Sequence, residues 1–349
     1  AVILSITTFS LSMSGTFLVR SGILNSIHTF ANDPSRGVFI LCFLFILISL
    51  SIFIYFFYQN KIKNNFIKTY IVSKETAVLV NNLFMMFFLS VVLIGTVYPI
   101  FLEVINNEKI SVGPPFYHKL IVPFMIPFLI FMAIGPNLNW LKDKINKINL
   151  QQLLFFILSI IVSYIFLKKV GISYLFSLPL FIASFFLFFI TIKDFSVKKT
   201  NLSQKISHFG FSLFILSVLI NGVLAKEYSS NMKIGDERKF LNKTIKFESL
   251  QINQSKNYQS LEANFKITDK NNSINLKPEI RVYDQPQTIT SEADIETTLY
   301  SDNFLVFNIL KNDGFYNVRY QIKPFMVWIW ISIILISFGG ILSIVKKNG

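Results

Sequence analysis

Three histidines, three tryptophans and one cysteine are all that 349 residues offer of the side chains that most often hold metals or carry redox chemistry. The cysteine, Cys42, lies inside an apolar run, so the chain supplies neither an internal disulfide nor a C-x-x-C pair, and any thiol chemistry must come from a partner. No G-x-x-x-x-G-K-[ST] or G-x-G-x-x-G segment occurs, which excludes nucleotide hydrolysis by a phosphate loop of this chain, and no repeat of solenoid length is present. Charge is also scarce: 15% of the residues are Asp, Glu, Lys or Arg, against 52% hydrophobic. That apolar excess is larger than one soluble core of this length uses, and it marks an integral membrane protein.

Eight apolar runs are long enough to cross a hydrocarbon layer of about 30 Å as helices. They cover residues 2–18, 38–58, 78–102, 120–135, 153–167, 175–192, 206–225 and 325–345. The fourth is short and contains Pro123 and Pro127, whose missing donors predict a kink and a place against neighbouring helices rather than lipid. The first run has no basic flank before it and no A-x-A site after it, so it does not read as a signal peptide. Because the chain opens on Ala1 rather than methionine, it is expected to be part of a longer gene product or one product of a split gene.

The net charge of +14 would suggest nucleic acid until it is located along the chain. Residues 226–323 hold 14 basic and 13 acidic side chains, so nearly all of the excess lies in the membrane loops and tail. Alternate loops carry Lys61, Lys63, Lys68 and Lys74, then Lys142, Lys144 and Lys147, then Lys193, Lys198, Lys199 and Lys205, and the tail adds Lys346 and Lys347. By the positive-inside rule these face the cytoplasm or its equivalent, which leaves the polar loop around His28 and residues 226–323 outside. The charge is a topology signal and implies no nucleic-acid partner.

Between the seventh and eighth runs the pattern changes to period two. In "LEANFKITD", Leu261, Ala263, Phe265 and Ile267 share one face, and Glu262, Asn264, Lys266 and Thr268 the other. The expected fold is therefore an all-α polytopic membrane protein of about eight transmembrane helices, with a small, mostly β extramembrane domain before the last helix. Its parts are a seven-helix region at 1–225 that carries the His28 loop, the external domain at 226–323, and the last helix with its basic tail at 324–349. The external domain has no His, Cys or Trp, so docking or shaping a partner is its expected role.

Each histidine has two readings. His28 stands in a short outer loop between Arg20 and Arg36. It is either a solvated loop side chain or a ligand to iron or zinc, with the two guanidiniums available for carboxylates such as haem propionates. His208, in "KISHFGFSLF", enters the seventh run from the positive side. An ionisable group there either marks a functional site or snorkels to water, and Gly210 would let a flat ligand or another helix approach closely. His118, beside Lys119 in the Pro-rich segment "VGPPFYHKL", reads as a solvated outer-loop histidine. The His28 loop and the start of the seventh helix lie on opposite sides of a layer about 30 Å thick, so His28 and His208 do not ligate one iron.

Five dispersed motifs carry a resemblance. They are "GTFLVRSGILNSIHTFANDPSRGVFIL", "VGPPFYHKLIVPFMIPFLIFMAIGP", "SHFGFSLFILSVLING", "PEIRVYDQPQTITSEADIETTLY" and "VRYQIKPFMVWIWISIILISFGGILSIVKK". In this order they resemble the signature of the CcmF family, the haem lyase subunit of cytochrome c maturation. The resemblance runs from Gly15 to the C-terminus and implies the C-terminal half of such a protein. It implies that His28 is an external axial ligand to the haem being attached, that Arg20 and Arg36 hold its propionates, and that His208 ligates a resident b-type haem in the membrane.

The implied reaction joins haem through thioether bonds to the C-x-x-C-H segment of apocytochrome c. The implied partners are an N-terminal half carrying a Trp-rich segment, a haem chaperone, apocytochrome c with its thiol-handling subunit, and the lipid bilayer. The implied location is a bacterial inner membrane with the external domain in the periplasm, or alternatively a mitochondrial inner membrane. This sequence departs from the family in lacking a Trp-rich cluster, since Trp140, Trp328 and Trp330 form none, and in placing His118 where the family pattern has asparagine. The rival classes are a haem-export or haem-transfer subunit, a structural membrane subunit, and the related lyase dedicated to a multihaem nitrite reductase. Helix interiors made almost wholly of Leu, Ile, Phe, Val and Ser disfavour a transport path.

The lysine asymmetry predicts opposite sidedness for two loops. A label attached at Ser255 should react with an impermeant reagent from outside, and one at Ser196 only from inside. Reaction of both from one face would refute the eight-helix topology.

Overall fold

The structure, a computed structural model, describes residues 2–21, 34–59, 70–106, 110, 112–140, 150–196, 201–269, 272–284, 287–310 and 314–345. Among these are eight helices long and apolar enough to span a membrane, and ten strands between the seventh and eighth. The chain is a multi-pass membrane protein in two units, and the boundary between them falls within the fourth helix.

The first unit holds α1 (Val2–Ser21), α2 (Pro34–Tyr58), α3 (Lys74–Asn106) and the start of α4 (Pro114–Ile134). Helices α1 and α2 meet where Gly37 lies against the backbone of Ser21; a Cβ added there would come within 3.0 Å of the Ser21 Cα. Helices α3 and α4 meet through Phe87 and Phe124, whose rings lie 4.1 Å apart, and through Tyr117, which covers Gly95. A Cβ at position 95 would fall 2.6 Å from the Tyr117 hydroxyl, so the tyrosine ring would have to move to admit one. The expected kink in α4 is not a break: the helix continues through Pro123 and Pro127. Only two backbone donors are lost there, and burial begins directly after, at Phe128, Leu129 and Ala133.

The second unit holds the end of α4, then α5 (Leu150–Val170), a 3₁₀ turn (Ile172–Ser177), α6 (Leu178–Asp194), α7 (Leu202–Leu224), the strands, and α8 (Met326–Val345). Helices α7 and α8 pack backbone to backbone. Gly210 of α7 faces Leu335 and Ile336, and a Cβ at this site would lie 3.0 Å from the Ile336 nitrogen. Gly339 of α8 faces Ser203 and Ser207, where a Cβ would lie 2.8 Å from the Ser207 nitrogen and 2.9 Å from the Ser203 carbonyl oxygen. The Ser203 hydroxyl donates to the Gly339 carbonyl at 2.8 Å. Small residues replace bulk because lipid tails give apolar side chains no reason to prefer each other, and close backbone contact supplies the missing attraction. Thr191 of α6 and Ser212 of α7 add a buried hydroxyl pair at 2.8 Å.

The strands form a β-sandwich. One sheet has the order β1 (Lys226–Met232), β10 (Tyr316–Pro324), β9 (Ser301–Ile309), β8 (Asp294–Thr297). The other has the order β2 (Glu237–Phe240), β3 (Lys243–Gln254), β4 (Tyr258–Asp269), β6 (Glu279–Asp284), β7 (Gln287–Glu292), and β5 (Asn272–Leu276) pairs with β4. Both sheets contribute to the core, Ile245, Phe247, Phe265 and Ile267 from one, and Leu305, Phe307, Val318 and Tyr320 from the other. Each buried Phe contributes about 1.5–3 kcal/mol relative to exposure. The predicted alternation in β4 holds for Ala263, Phe265 and Ile267, while Leu261 is only partly covered. A β-bulge between Phe247 and Ser249 shifts the register there.

The sandwich is mounted on the α7–α8 pair without a linker. Helix α7 passes into β1 through Ala225, and β10 passes into α8 through Phe325. Strands β1 and β10 pair antiparallel from Lys226↔Ile322 to Met232↔Tyr316. At the joint the Asn221 amide of α7 donates to the Pro324 carbonyl at 2.6 Å. Phe325 adopts a left-handed φ of 63°, unusual for a bulky residue, while its side chain packs with the cluster of Leu167, Phe181 and Leu216.

Gly339→Val should drive β-branched bulk into the backbone of α7 and cost about 1–3 kcal/mol. Gly340→Ala should be silent, because a Cβ there meets nothing within 4 Å. Unfolding of the purified chain in denaturing detergent, followed by circular dichroism, would separate the two; equal stability of both variants would contradict the close packing.

Candidate functional site

Three features gather the polar chemistry of the described residues: the arginines that flank His28 in sequence, the end of α6 with the start of α7, and the base of the sandwich. His28 itself lies outside the described residues. Its flanking arginines are described: Arg20 is half-buried in the last turn of α1, and Arg36 is exposed in the first turn of α2. Because Gly37 lies against Ser21, the structure brings the two arginine-bearing ends together at one end of the helix pair. His118 is not in a loop, as its proline-rich surroundings suggest. It is the fifth residue of α4, exposed, because Pro114 and Pro115 occupy first-turn positions where a helix loses nothing by lacking the N–H.

His208 is half-buried in the second turn of α7. Ser203, Ser207 and Gly210 lie on the face that meets α8. Phe209 meets Phe188 and Phe195 of the α6 segment, with ring centroids 5.8 Å away in each case. Phe211 meets Phe128 of α4 edge-on at 6.2 Å. At about 100° per residue His208 falls between these last two faces and away from α8. Gly210 therefore serves close helix approach, and the imidazole is turned toward a different, aromatic-flanked side.

Two buried acids, Asp194 and Asp302, escaped the sequence reading. Asp194, the last residue of α6, is 6% exposed and is hydrogen-bonded by the side chain of Asn137, just past α4, with Lys193 and Lys205 close enough to act on its charge. Its only sequence signal is that it closes an apolar run, in "TIKD". It lies at the same end of the helices as the start of α7. Among the described residues no three His, Cys, Asp or Glu side chains are grouped closely enough to hold a metal ion. His208 thus offers a single imidazole, outside any three-ligand cluster among the described residues.

The base of the sandwich holds a closed polar network. The Tyr320 hydroxyl donates to Asn303 Oδ1 at 2.7 Å, Lys243 Nζ donates to the same oxygen at 2.8 Å, and Asn303 Nδ2 donates to Glu296 at 3.0 Å. Burial, with the charges of Glu296 and Asp269, raises the Tyr320 pKa, which keeps the phenol a donor. Next to it Asp302 is 8% exposed and its Oδ1 has no hydrogen-bond partner. Burial raises its pKa, and the Thr297 hydroxyl and the charge of Lys323 only partly oppose this. On the surface Glu227 is shifted the other way, chiefly by its hydrogen bond with Arg319, whose Nε lies 2.7 Å from the carboxylate.

Residues 223–324 match a family model described as the CcmF C-terminal beta-sandwich. The chain is 28% identical over 367 residues to the cytochrome c-type biogenesis protein CcmF of Pseudomonas aeruginosa, covering 99% of this chain and 55% of that protein. It is 28% identical over 353 residues to CcmF of Escherichia coli K12, with 98% and 54% covered. To the cytochrome c-type biogenesis protein NrfE of Haemophilus influenzae it is 23% identical over 351 residues, with 97% and 55% covered. The chain thus spans about half the length of the curated relatives it matches. A solved structure, cytochrome c heme lyase CcmF, shares the fold with a TM-score of 0.65 at 17% identity, over 96% of this chain and 53% of that one.

The raised pKa of Asp302 fixes the sign of a pH effect. The folded state takes up this proton more readily than the unfolded chain, so ionisation of Asp302 opposes folding. Its contribution is most favourable below the unfolded value of about 3.9 and is lost as pH rises through the folded value. Glu227 acts oppositely but weakly, since it is exposed and screened. Asp302→Asn should therefore leave the protein as stable as wild type, or more so, at pH 7.5, and lose that relative advantage as pH falls toward 4. Melting temperatures across this range test it, and a variant destabilised mainly at pH 7.5 would reverse the sign.

Proposed function

We propose, from the premise that the chain belongs to the CcmF family of cytochrome c-type biogenesis proteins, that it forms the C-terminal part of a haem lyase attaching haem to the C-x-x-C-H segment of apocytochrome c. The observation that carries this reading is the coincidence of architecture and family match. The matched residues begin at Val223 in the last turn of α7 and end at Pro324 at the close of β10, so the family's sandwich is mounted between the same two helices that carry the His208 motif and the last span. Higher identity to the CcmF relatives than to NrfE favours the general enzyme over the relative dedicated to nitrite reductase.

In this reading haem is the substrate, and each cysteine thiol adds across one vinyl group. The S–H bond breaks, a C–S bond forms, and the hydrogen ends on the neighbouring vinyl carbon, with no net oxidation. The thiolate is the nucleophile, so the contribution of the protein is position. His28 holds the iron of the incoming haem until the histidine of the substrate segment takes its place. Arg20 and Arg36, at adjoining helix ends, pair with the propionates and fix which way the vinyl edge points. His208 would be the residue of this chain that holds a resident b-type haem, a group that would provide one-electron transfer when bound, and the close packing of α7 on α8 would hold the helix turn that carries it.

An N-terminal half would supply the further haem-holding residues and the Trp-rich haem-handling segment, and a haem chaperone and a thiol-handling subunit would complete the assembly. The sandwich, in the periplasm of a bacterial inner membrane, offers the docking surface.

The test is co-expression with an N-terminal half bearing the Trp-rich segment, followed by haem quantification and absorption spectra of the co-purified halves. The pair should carry haem and attach it to a reporter cytochrome, while the lone chain inserts but binds little. His208→Ala should lose the b-type spectrum without losing insertion. His28→Ala should keep that spectrum and abolish attachment. An unchanged spectrum in His208→Ala, or stoichiometric haem with attachment by the lone chain, would overturn the reading.

A further inference from the structure

We infer that the β8–β9 turn, through Leu299 and Tyr300, is a membrane-contacting foot of the sandwich, seated in the interfacial zone of the bilayer beside the start of α8. This goes beyond the haem-lyase reading and stands whether or not that reading holds.

Leu299 and Tyr300 are 63% and 80% exposed, large apolar surfaces presented outward by a turn that is itself well ordered by hydrogen bonds. The Ser301 N–H donates to the Thr298 hydroxyl at 3.0 Å, and the Thr298 N–H to the Ser301 carbonyl at 3.0 Å. Both outward residues also have their carbonyls claimed by the start of α8. The Phe325 N–H donates to the Tyr300 carbonyl at 2.9 Å, and Trp328 Nε1 donates to the Leu299 carbonyl at 3.0 Å. The turn therefore cannot lie far above the membrane: it is fixed at the depth of the first turn of α8.

That depth follows from length. Helix α8 has 20 residues, which at 1.5 Å each give about 30 Å, the thickness of the hydrocarbon layer. Its first residue, Met326, then stands at the hydrocarbon boundary, with Trp328 and Trp330 about 3 and 6 Å inside it. Trp330 is 61% exposed, and an exposed indole at this level is an interfacial anchor. The carbonyl of Leu299 is bonded to the indole of Trp328, so its side chain and that of Tyr300 share the boundary zone, where a leucine and an amphipathic phenol are both at home. Bonding of both carbonyls also meets the condition for placing turn backbone near hydrocarbon, that its polar groups be satisfied within the protein. The neighbouring residues fit: Thr297, Thr298 and Ser301 are neutral, and of the two nearby carboxylates Asp302 is buried while Glu296 is half-buried and accepts from Asn303 Nδ2 at 3.0 Å. Such a foot gives the sandwich a contact with the bilayer beside its helical stem, and so sets its tilt.

The experiment uses the full chain in lipid nanodiscs, in a Cys42→Ser background, with a nitroxide at Tyr300→Cys and, separately, at Leu299→Cys. A third label at Ile252→Cys, 79% exposed near the far end of β3, serves as the aqueous reference. Collision with lipid-dissolved oxygen is compared with collision by a water-soluble nickel chelate. At 299 and 300 oxygen should win several-fold over the chelate, and at 252 the ratio should invert. Two sites on the turn guard against a variant that fails to fold. Chelate access at 299 and 300 equal to that at 252 would show a turn in water. Exclusion of both reagents would show a covering protein in place of lipid. Either result overturns the inference.

Discussion

Close backbone contact between α7 and α8 is the constraint on which the rest of the second unit depends. It needs glycine on both helices at matching heights, Gly210 against Ile336 and Gly339 against Ser207, and it uses a serine hydroxyl to satisfy a carbonyl that the approach would otherwise leave crowded. Once the helices are held this closely, the end of α7 and the start of α8 lie near enough for β1 and β10 to pair at once, with no intervening loop. The geometry of the sandwich is thus inherited from helix packing. So is the direction of His208: the face of α7 that carries Gly210 is spoken for, and the imidazole is left facing the aromatic side built by α4 and α6.

The joint between membrane and sandwich concentrates the unusual features of the fold. Phe325 holds a left-handed backbone conformation, which for a bulky side chain costs of order 1 kcal/mol or more. Its N–H bond to Tyr300 and its packing among Leu167, Phe181 and Leu216 offset that cost. Just beyond it, the buried Asp302 and the Lys243–Asn303–Tyr320 network fill the base of the sandwich with polar groups, where a purely apolar core would be simpler. A polar base suits a domain whose lower end meets a headgroup layer while its middle is dry.

Membrane spans were legible because apolar runs of this length have one physical explanation, yet their ends were not. The run at 78–102 belongs to a helix from Lys74 to Asn106, since hydropathy senses the hydrocarbon and not the hydrogen bonds that extend a helix beyond it. The same limit hid the place of His118, whose prolines suggested a loop but start a helix. Alternation exposed β4 and, through it, a β domain, whereas the bulge at Phe247 and Ser249 leaves no mark in a pattern of apolar and polar residues. Gly210 was legible as a site of close approach; only the fold identifies α8 as what approaches. Asp194 and Asn137 meet across three helices, a contact no local pattern encodes. For His28 the motif speaks alone, and the structure contributes the adjoining ends that carry Arg20 and Arg36.

The direct passage from α7 into β1 and from β10 into α8 also bears on how the protein is made. Ser203 and Gly339, bonded partners in the membrane, are 136 residues apart in the chain. At the moment α7 is inserted its packing partner does not exist, and after α8 is inserted the two must find each other across a tether of roughly one hundred residues. Closing so long a tether carries an entropic penalty that grows by about 0.6 kcal/mol for each doubling of its length. A folded sandwich removes nearly all of it, since its two ends emerge on neighbouring strands about 5 Å apart. Folding on one side of the membrane thereby becomes the step that assembles helices within it, and the sandwich acts during biogenesis as the clasp of the helix pair it later rests on.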